Sequence, residues 1–131
     1  MSSLIKLFEH LEKHPGMYFH TAERSRSIHL LQAFLLGVDC GREWHAEPRE
    51  LDCFSEWVAA HYRAILDSRG GLDLILEHVN GDDQLAYDEF FRLLPDYLRD
   101  RQELGWEGIH TRFGDIQGDL YEALRKESDT P

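Results

Sequence analysis

Apolar residues recur every three or four positions along almost the whole chain, and this spacing constrains the fold more than any other feature. Residues three and four apart share one side of an α-helix, whereas a half-buried strand alternates at every second residue. The clearest stretch follows Glu47 and Pro48, which are typical of a helix start. Its predicted helical face consists of Leu51, Phe54, Trp57, Val58, His61, Tyr62 and Ile65. The pattern therefore predicts helices rather than a sheet.

Similar faces predict a first helix from Leu4 to Leu11 and a second from Ile28 to Val38. Pro15 and Gly16 end the first of these, because the residue before a proline avoids the helical region. Residues 72–79 form a short apolar run that fits either a brief helix or a buried strand. Asn80 and Gly81 end that run in both cases.

The C-terminal half predicts two further helices separated by a turn. Asp82 or Asp83 is placed to cap the first of them, since a short acidic side chain accepts backbone N–H groups at a helix start. Pro95 lies inside this pattern and is expected to kink or restart the helix. A turn around Trp106 then precedes a last helix, whose face consists of Ile109, Phe113, Ile116, Leu120 and Leu124.

With 131 residues, 42% of them hydrophobic, the chain is long enough for one hydrophobic core. No internal repeat or long linker divides it. The sequence therefore predicts an all-α fold: a compact single-domain bundle of five to six helices over residues 1–127. Residues 128–131 are expected to be a frayed tail.

A formal net charge of −11 argues against binding to nucleic acid or to an anionic membrane. The acid is concentrated in residues 73–103, which hold nine carboxylates and three arginines. The longest apolar run, from Ala33 to Val38, is far shorter than the roughly 18 residues that span a bilayer. We expect a cytoplasmic protein that tolerates a basic protein partner.

No residue pattern predicts catalysis or a bound cofactor. Nucleophile-elbow, Walker-type and dinucleotide-binding motifs are missing from the sequence. His10 and His14 are four residues apart, as zinc ligands on a helix often are, but no third ligand follows at a telling spacing. Cys40 and Cys53 form neither a disulfide framework nor a Cys-x-x-Cys pair. The sequence therefore predicts no metal site, with two reduced thiols.

Several short motifs occur in order along residues 4–98: Pro15-Gly16-Met17-Tyr18; Leu31, Phe34, Leu35 and Gly37; Phe54, Trp57 and Val58; and Asp82, Asp83, Ala86, Phe90, Phe91, Leu93 and Leu94. With these motifs in this order, the chain resembles small acidic bacterial proteins of the immunity type. The resemblance implies a protein that binds and silences a toxin made by its own cell. It implies no catalytic residues.

On this hypothesis the chain neutralises a cognate toxin with a basic surface by stoichiometric contact. Acidic side chains steer the association and aromatic side chains supply most of the binding energy. The predicted partner-binding residues are Asp82, Asp83, Asp88, Glu89, Tyr87 and Trp106. Two alternatives stay open: a small metal-dependent enzyme that uses His10, His14 and a distant carboxylate, and a regulatory adaptor without a toxin partner.

Overall fold

The computed structural model describes residues 3–14, 27–42, 51–67 and 70–128, with side chains from residue 5 onward except those of 36–42. Five helices make up this part of the chain, and it contains no strand. They are α1 (Ser3–Lys13), α2 (Ile28–Arg42), α3 (Phe54–Tyr62), α4 (Gly71–His78) and α5 (Asp83–Ser128). The predicted all-α bundle is confirmed, and residues 72–79 are helical. The motif at Pro15 to Tyr18, the start at Glu47 and Pro48, and the last three residues lie outside the described residues.

α3, α4 and α5 pack against one another, and α2 packs on α4 and α5. α1 joins the bundle through Phe8, whose ring contacts Phe90 and Phe91 edge to face, with ring centroids 5.7 and 6.4 Å apart. The largest fully buried side chains are Trp57, Tyr87, Tyr97, Phe8 and Phe90. The aromatic residues of the helical faces thus meet in one core.

α3 is shorter than its apolar pattern predicts. It begins at Phe54, and residues 51–53 form a turn in which the Phe54 N–H donates to the Leu51 carbonyl at 3.0 Å. It ends at Tyr62, because Arg63 adopts a left-handed conformation (φ 51°) and the chain turns away from the axis. His61, predicted on the buried face, is exposed and stacks on Trp57. A three-to-four-residue period marks a helical face but not where the backbone leaves the helix.

α5 passes through Pro95 without restarting, so of the two expected outcomes, a kink or a restart, the restart is wrong. The one residue of α5 with non-helical backbone angles is Gly105, at φ 68° and ψ 169°. Few residues other than glycine adopt these angles. The turn expected around Trp106 is therefore reduced to a single residue, and helical structure resumes directly after it. The described helices do not include one long and apolar enough to cross a bilayer.

Candidate functional site

Two of the predicted partner-binding acids hold helix ends. Asp82 accepts the Leu85 N–H at 2.9 Å and so caps α5, as predicted. Asp83 reaches a different helix: its carboxylate accepts the backbone N–H groups of Ile28 at 2.6 Å and His29 at 3.3 Å. These N–H groups start α2 and have no partner inside that helix. Asp83 therefore stabilises the packing of α2 on α5, a role that its sequence neighbours do not reveal.

The other two acids differ in exposure. Asp88 is exposed, whereas the Glu89 side chain is largely buried and accepts a hydrogen bond from the Tyr62 hydroxyl at 3.0 Å. Arg92 pairs with the same carboxylate. The hydrogen bond from Arg92 lowers the pKa of Glu89 below its ordinary value, with help from Tyr62 and against the effect of burial. Glu89 thus already has partners within the fold.

Tyr87 is in the core, which corrects the prediction that it anchors a partner. Its side chain is only 2% exposed, its ring packs on Phe91, and its hydroxyl donates to the Leu11 carbonyl at 3.3 Å. The helical period places Tyr87 beside Ala86 and Phe90, on the side of α5 that faces α1. A tyrosine with its hydroxyl bonded to backbone is a core residue rather than a surface contact.

Trp106, the remaining predicted contact, is 56% exposed. Leu104 is also exposed, and the two side chains lie on either side of Gly105. The left-handed angle at Gly105 interrupts the helical register, so neither side chain follows the buried face of α5. The nearest aromatic neighbour is His110, whose ring is 5.7 Å from that of Trp106 and nearly perpendicular to it.

A surface pocket of about 340 Å³ adjoins Trp106. It is lined by Asp52, Cys53, Arg101, Trp106 and His110. Two hydrogen bonds position its wall on the α3 side. The Tyr97 hydroxyl donates to the Asp52 carbonyl, and the backbone N–H of Trp57 donates to the Cys53 carbonyl at 2.8 Å. Burial raises the pKa of Tyr97, so its hydroxyl keeps its proton as a donor.

Asp100 links α3 to the parts of α5 before and after Gly105. Its carboxylate accepts the Trp57 indole N–H at 2.8 Å and pairs with Arg112 at 3.2 Å. Burial raises the pKa of Asp100, but the bonds from Trp57 and Arg112 outweigh it, so that the pKa lies below its ordinary value. Because Asp100 precedes the break and Arg112 follows it, this pair holds the surface around Trp106 in one orientation.

Three chemically different side chains converge at this pocket: the Cys53 thiol and the His110 imidazole, which line it, and the Glu56 carboxylate beside them. One potential ligand atom from each lies within 4.8 Å of the others. Burial, together with the nearby Glu56 carboxylate, raises the pKa of Cys53. This cluster is not apparent in the sequence, because 57 positions separate Cys53 from His110 and its only local signal is the three-residue spacing from Cys53 to Glu56.

His10 and His14, the pair singled out by spacing, are both exposed, and their rings lie 4.9 Å apart. Within the part of the chain that the structure describes, neither belongs to a group of three potential metal ligands. Compared with protein-family models, with curated proteins and with solved structures, the chain matches none of them.

Proposed function

We propose that this chain is an immunity-type protein that binds a cognate toxin stoichiometrically and thereby neutralises it. The observation that supports this proposal is the exposed pair Leu104 and Trp106, presented on either side of the Gly105 break. Tryptophan is the residue most enriched among the few that dominate protein–protein binding energy. An exposed tryptophan beside a pocket fits a protein-binding surface.

The charges around this pair favour a basic partner. Asp52, Glu103 and Glu107 are exposed, and they lie on the pocket wall or within three residues of Trp106. Arg101 is half-buried in the pocket rather than fully exposed. With a net charge of −11 over the whole chain, association with a basic toxin surface is accelerated at low salt. The proposal places the protein in the cytoplasm of the cell that makes the toxin.

The proposed contact residues are accordingly revised. Trp106 stays, Leu104 joins it, and Tyr87 is withdrawn because its ring is buried. Asp82 and Asp88 are exposed, but about 24 Å of helix separates Asp88 from Leu104 at 1.5 Å per residue. We assign these two acids to long-range steering rather than to the contact itself.

The decisive experiment pairs Trp106→Ala with Tyr121→Ala. Tyr121 is the matched control, because it is 55% exposed on the same helix and lies about 22 Å further along it. The proposal expects the toxin to be encoded next to this chain's gene, and calorimetry with that toxin gives the affinity. We expect Trp106→Ala to weaken binding by at least about 30-fold, the effect of a central contact, and Tyr121→Ala by less than about threefold.

Growth provides the second readout. Cells that express the toxin should survive with the parent chain or with Tyr121→Ala and lose protection with Trp106→Ala. If the parent chain neither binds the toxin nor protects the cells, the immunity proposal is wrong. If Tyr121→Ala and Trp106→Ala weaken binding equally, the function stands and the contact surface is misplaced.

A further inference from the structure

The group of Cys53, Glu56 and His110 brings together the three ligand types that zinc prefers. Cys53 precedes α3, Glu56 lies in the first turn of α3, and His110 lies on α5 five residues after Gly105. Thiolate, imidazole and carboxylate are all established zinc ligands, and sites with three protein ligands leave a fourth position open. These residues meet only because α3 and α5 pack together.

One oxygen atom of the Glu56 carboxylate lacks a hydrogen-bond donor. This atom, Oε2, is buried and accepts no hydrogen bond. The Nδ1 atom of His110 lies 2.7 Å away, at ion-pair distance but outside hydrogen-bonding geometry. A cation bound between the imidazole and the carboxylate satisfies both groups. A buried polar atom without a partner is costly, and an ion is one of the recognised explanations.

We propose that Cys53, Glu56 and His110 form a zinc-binding site with three protein ligands. The fourth position faces the pocket beside Trp106, where a water molecule or a group from a partner completes the tetrahedron. Cys53 binds as its thiolate, so one proton leaves the sulfur for solvent as the zinc–sulfur bond forms. The thiolate and carboxylate charges then balance the charge of the ion, with no oxidant or reductant involved.

The three ligand atoms lie within 4.8 Å of one another and must rearrange to bind zinc. Nitrogen and oxygen ligands about 2.1 Å from a tetrahedral zinc lie roughly 3.4 Å apart, so Nδ1 and Oε2 must separate by about 0.7 Å from their spacing of 2.7 Å. The His110 side chain is 47% exposed, whereas that of Glu56 is 24% exposed. Rotation of the histidine side chain therefore supplies the movement while Glu56 and Cys53 stay on the α3 side.

The backbone at Cys53 is a further sign of constraint. Its φ of 68° is uncommon for a residue with a side chain. Such conformations persist where the surrounding structure imposes them, and they are concentrated at functional sites. Here the Tyr97 bond to Asp52 and the start of α3 hold this residue beside Glu56. The proposed site uses Trp106 only as a neighbour and does not depend on toxin binding.

The test is metal titration of the reduced full-length chain. Calorimetry with ZnCl₂ should show one ion per chain, and Co²⁺ should give the near-ultraviolet absorption band of a cobalt–thiolate bond. Cys53→Ser should abolish that band and weaken zinc binding by at least about tenfold, since loss of even an orienting group around a metal costs 10–100-fold. His110→Ala should weaken zinc binding while retaining the thiolate band at saturating cobalt.

Two matched variants control for the residue types. Cys40→Ser removes the other thiol of the chain, and His29→Ala removes an exposed histidine on α2; both should bind zinc as the parent does. Circular dichroism of every variant checks that the helices persist. The proposal is overturned if the parent binds no stoichiometric zinc, or if Cys53→Ser keeps the cobalt–thiolate band. Neither result bears on toxin binding, which is measured through Trp106.

Discussion

The two parts of α5 on either side of Gly105 have opposite relations to the core. Before the break, seven residues of α5 are buried: Ala86, Tyr87, Phe90, Phe91, Leu93, Leu94 and Tyr97. After it, only Ile109 and Gln117 are buried in the described chain. Gln117 connects this part to the loop after α3, donating to the Ala64 carbonyl at 2.7 Å and accepting the Leu66 N–H at 3.2 Å.

This difference indicates that one continuous helix serves two purposes. The part before Gly105 supplies stability, because its aromatic side chains and those of Leu93 and Leu94 are almost entirely removed from water. The part after Gly105 leaves Tyr121 and Leu124 about half exposed and so contributes little hydrophobic stabilisation. The proposed binding surface and the proposed zinc ligands lie where the two parts meet, on a rigid support but within reach of solvent.

The largest predicted effect comes from truncating the buried part. Phe90 is fully buried and contacts Phe8, Phe54 and Phe91 edge to face. Phe90→Ala should lower the free energy of unfolding by about 3–5 kcal/mol, and Leu124→Ala by less than about 0.5 kcal/mol. Urea denaturation measures both, and Phe90→Leu replaces the alanine variant if that does not fold. Equal losses at the two positions would contradict the division of α5.

A smaller effect is expected for Asp100, which links the two parts. Its pKa is lower folded than unfolded, so its contribution is full above its ordinary pKa of 3.8 and is lost as pH falls through the folded value. The pKa of Glu89 is also lowered from its ordinary value of 4.5, so its contribution to stability is likewise full above 4.5 and is lost at lower pH. Asp100→Asn should cost about 2 kcal/mol at pH 7, because hydrogen bonds to a charged group are lost.

Denaturation of Asp100→Asn and the parent between pH 7 and pH 2.5 measures this linkage. The stability difference should shrink as the parent carboxylate takes up its proton. A difference that stays constant across the range would mean that the charge of Asp100 does not matter and that only its shape does.

The smallest predicted change in stability comes from replacing single glycines of α5 by alanine, with opposite signs at Gly105 and Gly114. Gly105→Ala should destabilise by at least about 1 kcal/mol, because φ 68° with ψ 169° is almost confined to glycine, even though an added Cβ meets nothing within 4 Å. Gly114 is equally open but helical, so Gly114→Ala should stabilise by about 0.5–1 kcal/mol. Thermal unfolding compares the two variants, and a gain at both positions would show that the break at Gly105 is not required.

The sequence by itself determined the all-α class and most of the apolar helical faces, but not the exact ends of the helices. Phe8, Leu31, Trp57 and Phe90 are buried as their spacing predicts, and Asp82 caps α5 as predicted. These features depend on near neighbours along the chain, because a helical period and a cap involve residues three or four positions apart. The exposure of Trp106 also depends on a near neighbour, because it follows the non-helical Gly105 directly.

Only the tertiary structure decided which polar side chains have partners in the fold. Asp83 caps α2 from 55 residues away, Glu89 holds Tyr62, and Asp100 joins Trp57 to Arg112. Cys53 and His110 meet in the same way, through the packing of α3 on α5. Acidic residues that look alike in sequence therefore divide into caps, buried pairs and exposed surface, because long-range packing determines the distance between a carboxylate and its nearest donor.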